Sequence, residues 1–290
     1  MNKLEQAHEE FINHLKSRSR ASATVLAYGK DIEQLITFLK DLEKAHVQDV
    51  TREDIEAFMA KLRKEGYTNK SISRKTNSTK TFFKFLKVQE YVTDDPASLV
   101  THPKVESRPP RILTKMEYRA LRDATRQDPR THGVVELLLQ TGIRIGELRN
   151  LRVEDLKFSK GKEKGEIFVR PFENREGRSV PLNTAAETAV KVYLTLRPKT
   201  KEPTLFVTKT GRPLLIRNIR STINRYFKIA GVENSTVNDL RHTFVAHHLQ
   251  KGASLVLVSK VAGHKRLSTT EKYLAFIERP KEEVQELEEL

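Results

Sequence analysis

Apolar residues recur at steps of three and four along the first hundred positions, the spacing of one face of an α-helix. Between Glu5 and Lys16 they are Ala7, Phe11, Ile12 and Leu15. Between Thr24 and Leu42 they are Leu26, Ile32, Leu35, Ile36 and Leu39. Thr51 reads as an N-cap, with Asp54 at the third helical position. It opens a helix that buries Ile55, Phe58, Met59 and Leu62 and stops at Gly66. A fourth helix, Asn69 to Val88, sets Ile72, Thr76, Thr79, Phe83 and Leu86 on one side. Four amphipathic helices with short connections predict a small bundle over residues 1–100.

Residues 101–113, THPKVESRPPRIL, carry three prolines and no period, and read as an interdomain linker. The pattern resumes over 114–290. Thr114 with Glu117 is placed to cap a helix, and helical spacing runs on to Gln140. The stretch Gly165 to Leu182 breaks that period. Ile167 to Val169 and Ser179 to Leu182 predict two strands around a polar turn, and Thr204 to Val207 with Gly211 a further short extended piece. Helical spacing then returns to the end, where KEEVQELEEL forms an acidic amphipathic pattern. The expected fold is mainly α: an N-terminal four-helix bundle, then a mostly α C-terminal domain with a small antiparallel β-sheet.

Charge changes this picture more than composition does. The 290 residues include 53 Lys and Arg against 38 Asp and Glu, a net charge of +15. A balance this basic favours a polyanionic partner, and nucleic acid is preferred to a membrane because no long basic helix has a bulky apolar face. The fourth helix concentrates the charge. Lys70, Arg74, Asn77, Lys80, Lys84 and Lys87 recur on its polar side, and between Lys61 and Lys87 the one acid is Glu65. A solvated face normally mixes signs, so this stripe reads as a DNA-backbone surface. The absence of cysteine excludes disulfides, thiolate catalysis and cysteine zinc sites. No apolar run reaches membrane-spanning length and no leader pattern opens the chain, so a cytoplasmic protein is expected.

Candidate chemistry lies in three stretches of the second domain. In TGIRIGEL, Thr141 to Leu148, Gly142 ends one helix and Arg144 starts the next. In VNDLRHTF, Val237 to Phe244, Asn238 and Arg241 share the face of a helix capped by Thr236. In GHKRLSTTEKYL, Gly263 to Leu274, Gly263 suits a left-handed helix end and His264 follows it. Ser268 with Glu271 has the form of a capping box, which would place Tyr273 in the second turn of a new helix. Taken singly, each residue has an ordinary structural explanation: an ion-paired arginine, a packed tyrosine. Together, two arginines, a histidine and a tyrosine beside helix ends suit a phosphodiester. The arginines supply permanently charged forks for its nonbridging oxygens, and their field favours the phenolate of an otherwise weakly nucleophilic tyrosine.

These three stretches resemble the catalytic boxes of the tyrosine recombinases, the integrase family that includes Xer-type, phage and transposon-borne members. The likeness spans the second domain, and the first is similar to the family's core-binding domain. It implies a site-specific DNA recombinase in which Tyr273 attacks a scissile phosphate to give a 3′-phosphotyrosyl link and a free 5′-hydroxyl, with Arg144, Arg241 and His264 around it. It implies no cofactor and no metal, a double-stranded DNA recombination site as partner, and a homotetramer on two duplexes. A tail bearing Val284, Leu287 and Leu290 would touch a neighbouring protomer. A type IB-like topoisomerase and a non-catalytic DNA-binding regulator are the alternatives. The chain's length leans toward an Xer-like role or cointegrate resolution.

Two positions depart from the family. Asn238 stands where most members have histidine, and is expected to bind without moving a proton. The hairpin lysine that would protonate the leaving oxygen is missing: Glu173 holds its place, and no lysine lies between Lys164 and Lys191. Arg175, in the turn, is the expected substitute, with Lys162 or Lys164 reaching in only from a longer hairpin. Glu147 reads as a partner for a basic residue, and His242 and His247 as structural.

Overall fold

The computed structural model describes residues 3–18, 20–106, 109–172 and 175–278. The chain forms two compact units, residues 1–108 and 109–290. Both are mainly helical, and the second holds one three-stranded antiparallel sheet. No described helix is long and apolar enough to cross a membrane.

The first unit contains α1 (Leu4–Ser17), α2 (Ser22–Asp41), α3 (Arg52–Lys64) and α4 (Asn69–Val88). At the start of α3 the Thr51 hydroxyl accepts from the Asp54 amide, and the Asp54 carboxylate accepts from the Thr51 amide at 2.8 Å. Such a reciprocal cap contributes about 1 kcal/mol. Phe11, Phe58, Phe82 and Phe83 are fully buried, with the rings of Phe11 and Phe82 edge to face at 5.2 Å. In α2 the buried positions include Val25, Ile32, Ile36 and Leu39, and Leu26 is 73% exposed. Leu26 follows Val25 directly, so it lies about 100° round the helix from that face.

The polar side of α4 divides in two. Lys70, Asn77, Lys84 and Lys87 are exposed, and Lys80 donates to the Ser98 carbonyl at 3.0 Å. Arg74 remains exposed and also pairs with the buried carboxylate of Asp31. Lys75 Nζ donates to the same carboxylate at 2.9 Å and Ser78 Oγ at 3.1 Å. A carboxylate 2% exposed is shut off from water and needs such partners for its oxygens. Asp31→Ala strands two cations at once and is expected to cost the first unit about 3 kcal/mol, measured as a lowered urea midpoint.

The second unit runs α5 (Lys115–Thr125), α6 (Pro129–Thr141), α7 (Ile145–Asn150), β1 (Leu156–Lys157), β2 (Glu166–Val169), β3 (Arg178–Pro181), α8 (Thr184–Leu196), α9 (Ile216–Ile229), α10 (Val237–Gln250), α11 (Leu255–Ala262) and α12 (Ser268–Glu271). The Thr114 cap of α5 forms with Glu117. Helix α6 is buried nearly all round, through Val134, Val135, Leu137 and Leu138, and is the central helix. In the sheet β2 lies between β1 and β3, with Ile167 opposite Val180 and Val169 opposite Arg178. The third strand is β1, which precedes the predicted pair. Thr204 to Val207 makes only single bridges, Arg152 to Thr204 and Val207 to Pro213.

The Ser268 cap does not form. Leu267 already has helical angles and occupies the N-cap, and Ser268 is the first helical residue, with no side-chain cap bond. Helix α12 is one turn long and passes into a 3₁₀ turn, Lys272–Phe276, that carries Tyr273. The tail positions Val284, Leu287 and Leu290, and Glu173, lie outside the described residues.

Candidate active site

Two glycines set the geometry of the site. Gly142 ends α6 with φ 63°, and a Cβ there would meet the Phe244 ring at 2.2 Å. Gly263 ends α11 with φ 68°, and a Cβ there would meet the Arg178 guanidinium at 2.6 Å. Only glycine takes both the left-handed backbone and the close approach. The first turn delivers Arg144 to the start of α7, and the second delivers His264.

Arg144 is held from two sides. Its Nη1 donates to Glu147 Oε1 at 3.0 Å and its Nη2 to the Gly263 carbonyl at 2.6 Å. Arg178, the first residue of β3, donates to Glu147 at 2.8 and 3.0 Å and through Nε to the Val261 carbonyl at 2.8 Å. Both cations therefore close the C-terminal end of α11, where free carbonyls favour positive charge. Burial alone would raise the Glu147 carboxyl. Hydrogen bonds from Arg178 and from the Arg144 amide outweigh it and hold the group at about 2.

Arg241, in the second turn of α10, donates through Nη1 to the Gly142 carbonyl. Its Nη2 is buried without a partner among the described residues. Burial and the nearby Arg144 pull this guanidinium down to about 9, which leaves it a cation at neutral pH. A buried, charged donor with nothing to donate to is costly unless an anion completes it.

Tyr273 is 5% exposed and lies between two histidines. Its ring is stacked on that of His264, with centroids 6.4 Å apart and planes at 15°. Its hydroxyl is 2.6 Å from His242 Nδ1. Burial raises the phenol above its ordinary value, and Arg241 and Arg144 oppose the rise. His264 Nδ1 lies 2.7 Å from Thr270 Oγ1, and burial with the surrounding arginines pushes the ring down to about 4.

Arg144, Arg241, His264 and Tyr273 thus meet at one place, from four segments that are far apart in the chain. Asn238 is exposed in the first turn of α10. Arg175 pairs with Phe172 through its backbone in the β2–β3 turn. Lys162 and Lys164 precede β2, at the opposite end of the sheet from that turn. His247 is exposed. His242 and Arg178 belong to the cluster although sequence reasoning left them outside it. The available signal for His242 was its place directly after Arg241 and one turn beyond Asn238.

The site makes acid stability predictable. Above pH 6.5 His264 is neutral in the folded and unfolded chain. Between 6.5 and about 4 the unfolded chain takes up a proton that the folded site refuses, so stability falls as pH falls, and below 4 the loss is complete. Burial lowers His242 too, adding the same sign. Glu147 acts lower: its contribution is present above 4.5 and lost toward about 2. The urea midpoint is expected to decline through both windows, and His264→Gln to flatten the upper one.

The cluster gathers two guanidiniums, a histidine and a tyrosine hydroxyl on a helical unit that follows a helical bundle in the chain. Two family descriptions match this chain: the Phage integrase family over residues 111–278, and the Phage integrase N-terminal SAM-like domain over residues 8–90. Tyrosine recombinase XerC of Oceanobacillus iheyensis is 32% identical over 94% of this chain and 92% of its own. Tyrosine recombinase XerD of the same organism is 31% identical over 93% of each. The crystal structure of XerA recombinase is 27% identical, with a TM-score of 0.53 over 93% of each chain. A lambda integrase dimer bound to a COC′ core site shares the fold at 19% identity, with a TM-score of 0.77 over 98% of this chain and 81% of that one. The chain belongs to the phage integrase family, the tyrosine recombinases. It is an Xer-like site-specific recombinase, a DNA strand-transferring enzyme.

Proposed function

We propose that Tyr273 is the nucleophile of strand cleavage and that Arg144, Arg241 and His264 bind the scissile phosphate. The observation that carries this reading is the buried Nη2 of Arg241, which has no partner among the described residues, in the cluster that holds Tyr273. A phosphate oxygen supplies the missing acceptor, and the extra charge of the transition state strengthens the bond. The Tyr273 oxygen bonds to phosphorus as the bond to the 5′ oxygen breaks, leaving a 3′-phosphotyrosyl link. The link conserves the bond energy for rejoining. Cleavage of a nicked duplex, from which the 5′ fragment escapes, is expected to trap protein on DNA. Mass spectrometry should place the nucleotide on the peptide holding Tyr273; a label on another residue, or no adduct, rejects the assignment.

Asn238, exposed at the start of α10, donates to the DNA phosphate and moves no proton. Arg175 stabilises the leaving 5′ oxygen electrostatically, since a guanidinium gives up its proton poorly. A bridging sulfur at the 5′ position needs little such help. Arg175→Ala is therefore expected to cleave the sulfur substrate at the native rate and the oxygen substrate slowly; an equal defect on both would remove Arg175 from this role.

The partner is double-stranded DNA bearing a recombination site, engaged on one side by Lys70, Arg74, Asn77, Lys80, Lys84 and Lys87. Four protomers act on two duplexes. A lambda integrase tetramer bound to a Holliday junction has the same fold at 19% identity and a TM-score of 0.75. The tail with Val284, Leu287 and Leu290 is the candidate protomer contact, and truncation after Arg279 should weaken synapsis more than single-site binding. The protein works in the cytoplasm, in chromosome dimer resolution or cointegrate resolution. Footprinting on DNA from its own locus would locate the site.

A further inference from the structure

An attacking phenol must lose its proton, and the reading above, on which this inference rests, leaves the acceptor open. Asn238 has no basic nitrogen. His264 stacks on Tyr273 without a hydrogen bond to its hydroxyl, and its Nδ1 is taken up by Thr270 Oγ1 at 2.7 Å. Thr270 is fully buried, and a buried hydroxyl needs an acceptor. If it donates to Nδ1, the His264 proton sits on Nε2, which suits donation to a phosphate oxygen. A ring held at about 4 is in any case a weak base.

His242 differs in its geometry. Its Nδ1 is 2.6 Å from the Tyr273 hydroxyl, and the two rings lie 5.8 Å apart. It stands next to Arg241 and one turn past Asn238 on α10, so the helix that binds the phosphate also carries this nitrogen. Burial lowers the imidazole pKa and so favours the neutral ring, and with its proton on Nε2 the ring accepts from the Tyr273 hydroxyl at Nδ1.

We propose that His242 is the base that takes the Tyr273 proton during strand cleavage. The phenol O–H breaks and its proton passes to Nδ1, while the phenol oxygen bonds to phosphorus. The bond from phosphorus to the 5′ oxygen breaks, its electron pair leaves with that oxygen, and the oxygen takes a proton from water. In rejoining, the 5′-hydroxyl attacks phosphorus and loses its proton to the hydroxide formed earlier. The His242 proton returns to the departing phenolate. His242 is thus a catalytic residue in contact with a reacting atom.

The test is single-turnover adduct formation on the nicked duplex across roughly pH 5 to 9, the range in which a histidine titrates. Native protein is compared with His242→Gln, which keeps a hydrogen bond but holds no proton, and with His242→Ala, with and without imidazole. Facing His242 are Asp239 and Arg241 on its own helix, Tyr273 from the 3₁₀ turn and His264 from the end of α11. Asp239 favours the charged ring and Arg241 the neutral one. The native rate is expected to fall on the acid side as His242 becomes protonated. Both variants should bind the duplex normally, which shows that they fold. They should react on the order of 10² slower and lose the acid limb. Imidazole should partly restore His242→Ala, and a 5′ sulfur leaving group should restore neither variant. Rates within a factor of a few of native, or a fully active His242→Gln, would overturn the proposal and reduce the contact to one that parks the resting hydroxyl. No adduct from native protein would instead overturn the assignment of Tyr273 itself.

Discussion

Tyr273→Phe is expected to form no covalent adduct on a nicked duplex while binding that duplex as the native protein does. The substitution removes one oxygen and leaves the ring. The packing between His242 and His264 should survive, because Tyr273 is 5% exposed and its contacts are mostly those of the ring. The folded state loses the hydrogen bond to His242, worth about 1 kcal/mol, so the variant remains folded. No other described hydroxyl is recorded against the paired arginines, so no side chain stands in for the nucleophile. Gel retardation and adduct formation measured on the same protein separate the two effects. An adduct from Tyr273→Phe, or loss of binding along with the adduct, would contradict the placement of the nucleophile.

Arg241→Met is expected to lower the cleavage rate by a factor on the order of 10² to 10³, as loss of one preorganised donor to a developing oxyanion does. The same change should leave the DNA-free protein at least as stable, and its urea midpoint is expected to rise. In the free protein Arg241 places a half-buried cation beside Arg144, with Nη2 unsatisfied among the described residues. Methionine fills similar space with no charge to desolvate, and replacing a buried charge by a packed apolar side chain is often stabilising. Against this stands the lost bond to the Gly142 carbonyl. A variant that is slower yet more stable would show that the site holds strain for the phosphate to relieve. A large fall in the midpoint would show instead that Arg241 supports the fold.

The two residues answer different questions. In the proposed reaction Tyr273 supplies the reacting atom, so its loss is expected to be absolute. Arg241 there supplies charge to a transition state, so its loss is expected to be graded. Arg144 is a mixed case, because it is bonded to Glu147 and to the end of α11. Arg144→Ala would leave Glu147 with Arg178 as its remaining close cation, and its effects on rate and stability would be entangled. Arg241 is the cleaner probe.

Much of this protein is legible in local pattern. The periods of α1 to α4 follow from apolar spacing, and the caps at Thr51, Thr114 and Thr236 from short-range hydrogen bonding. Gly142 and Gly263 announce helix ends, because a left-handed residue is costly for other side chains. The strings around Arg144, Arg241, His264 and Tyr273 mark the family. Each of these signals is carried by residues within a few positions of one another.

What failed was long-range. Ser268 and Glu271 have the form of a capping box, but the chain is already helical at Leu267, so the cap has no open end to close. Arg74 is at the surface as its spacing predicts, but its bond to Asp31, 43 residues earlier, has no signal in that spacing. His242 resembles an ordinary helical histidine until Tyr273 arrives 31 residues later at 2.6 Å. Arg178 becomes a partner of Glu147 only when β3 is laid beside α7 and α11. By itself the sequence determined the class of enzyme, most of the helices and the candidate residues of the site, because these rest on local spacing. Which cations are paired with carboxylates, which guanidinium nitrogen has no partner among the described residues and which histidine touches the Tyr273 hydroxyl were decided by tertiary structure alone. Charge and hydrogen bonding act over a few ångströms of space, whatever the separation along the chain.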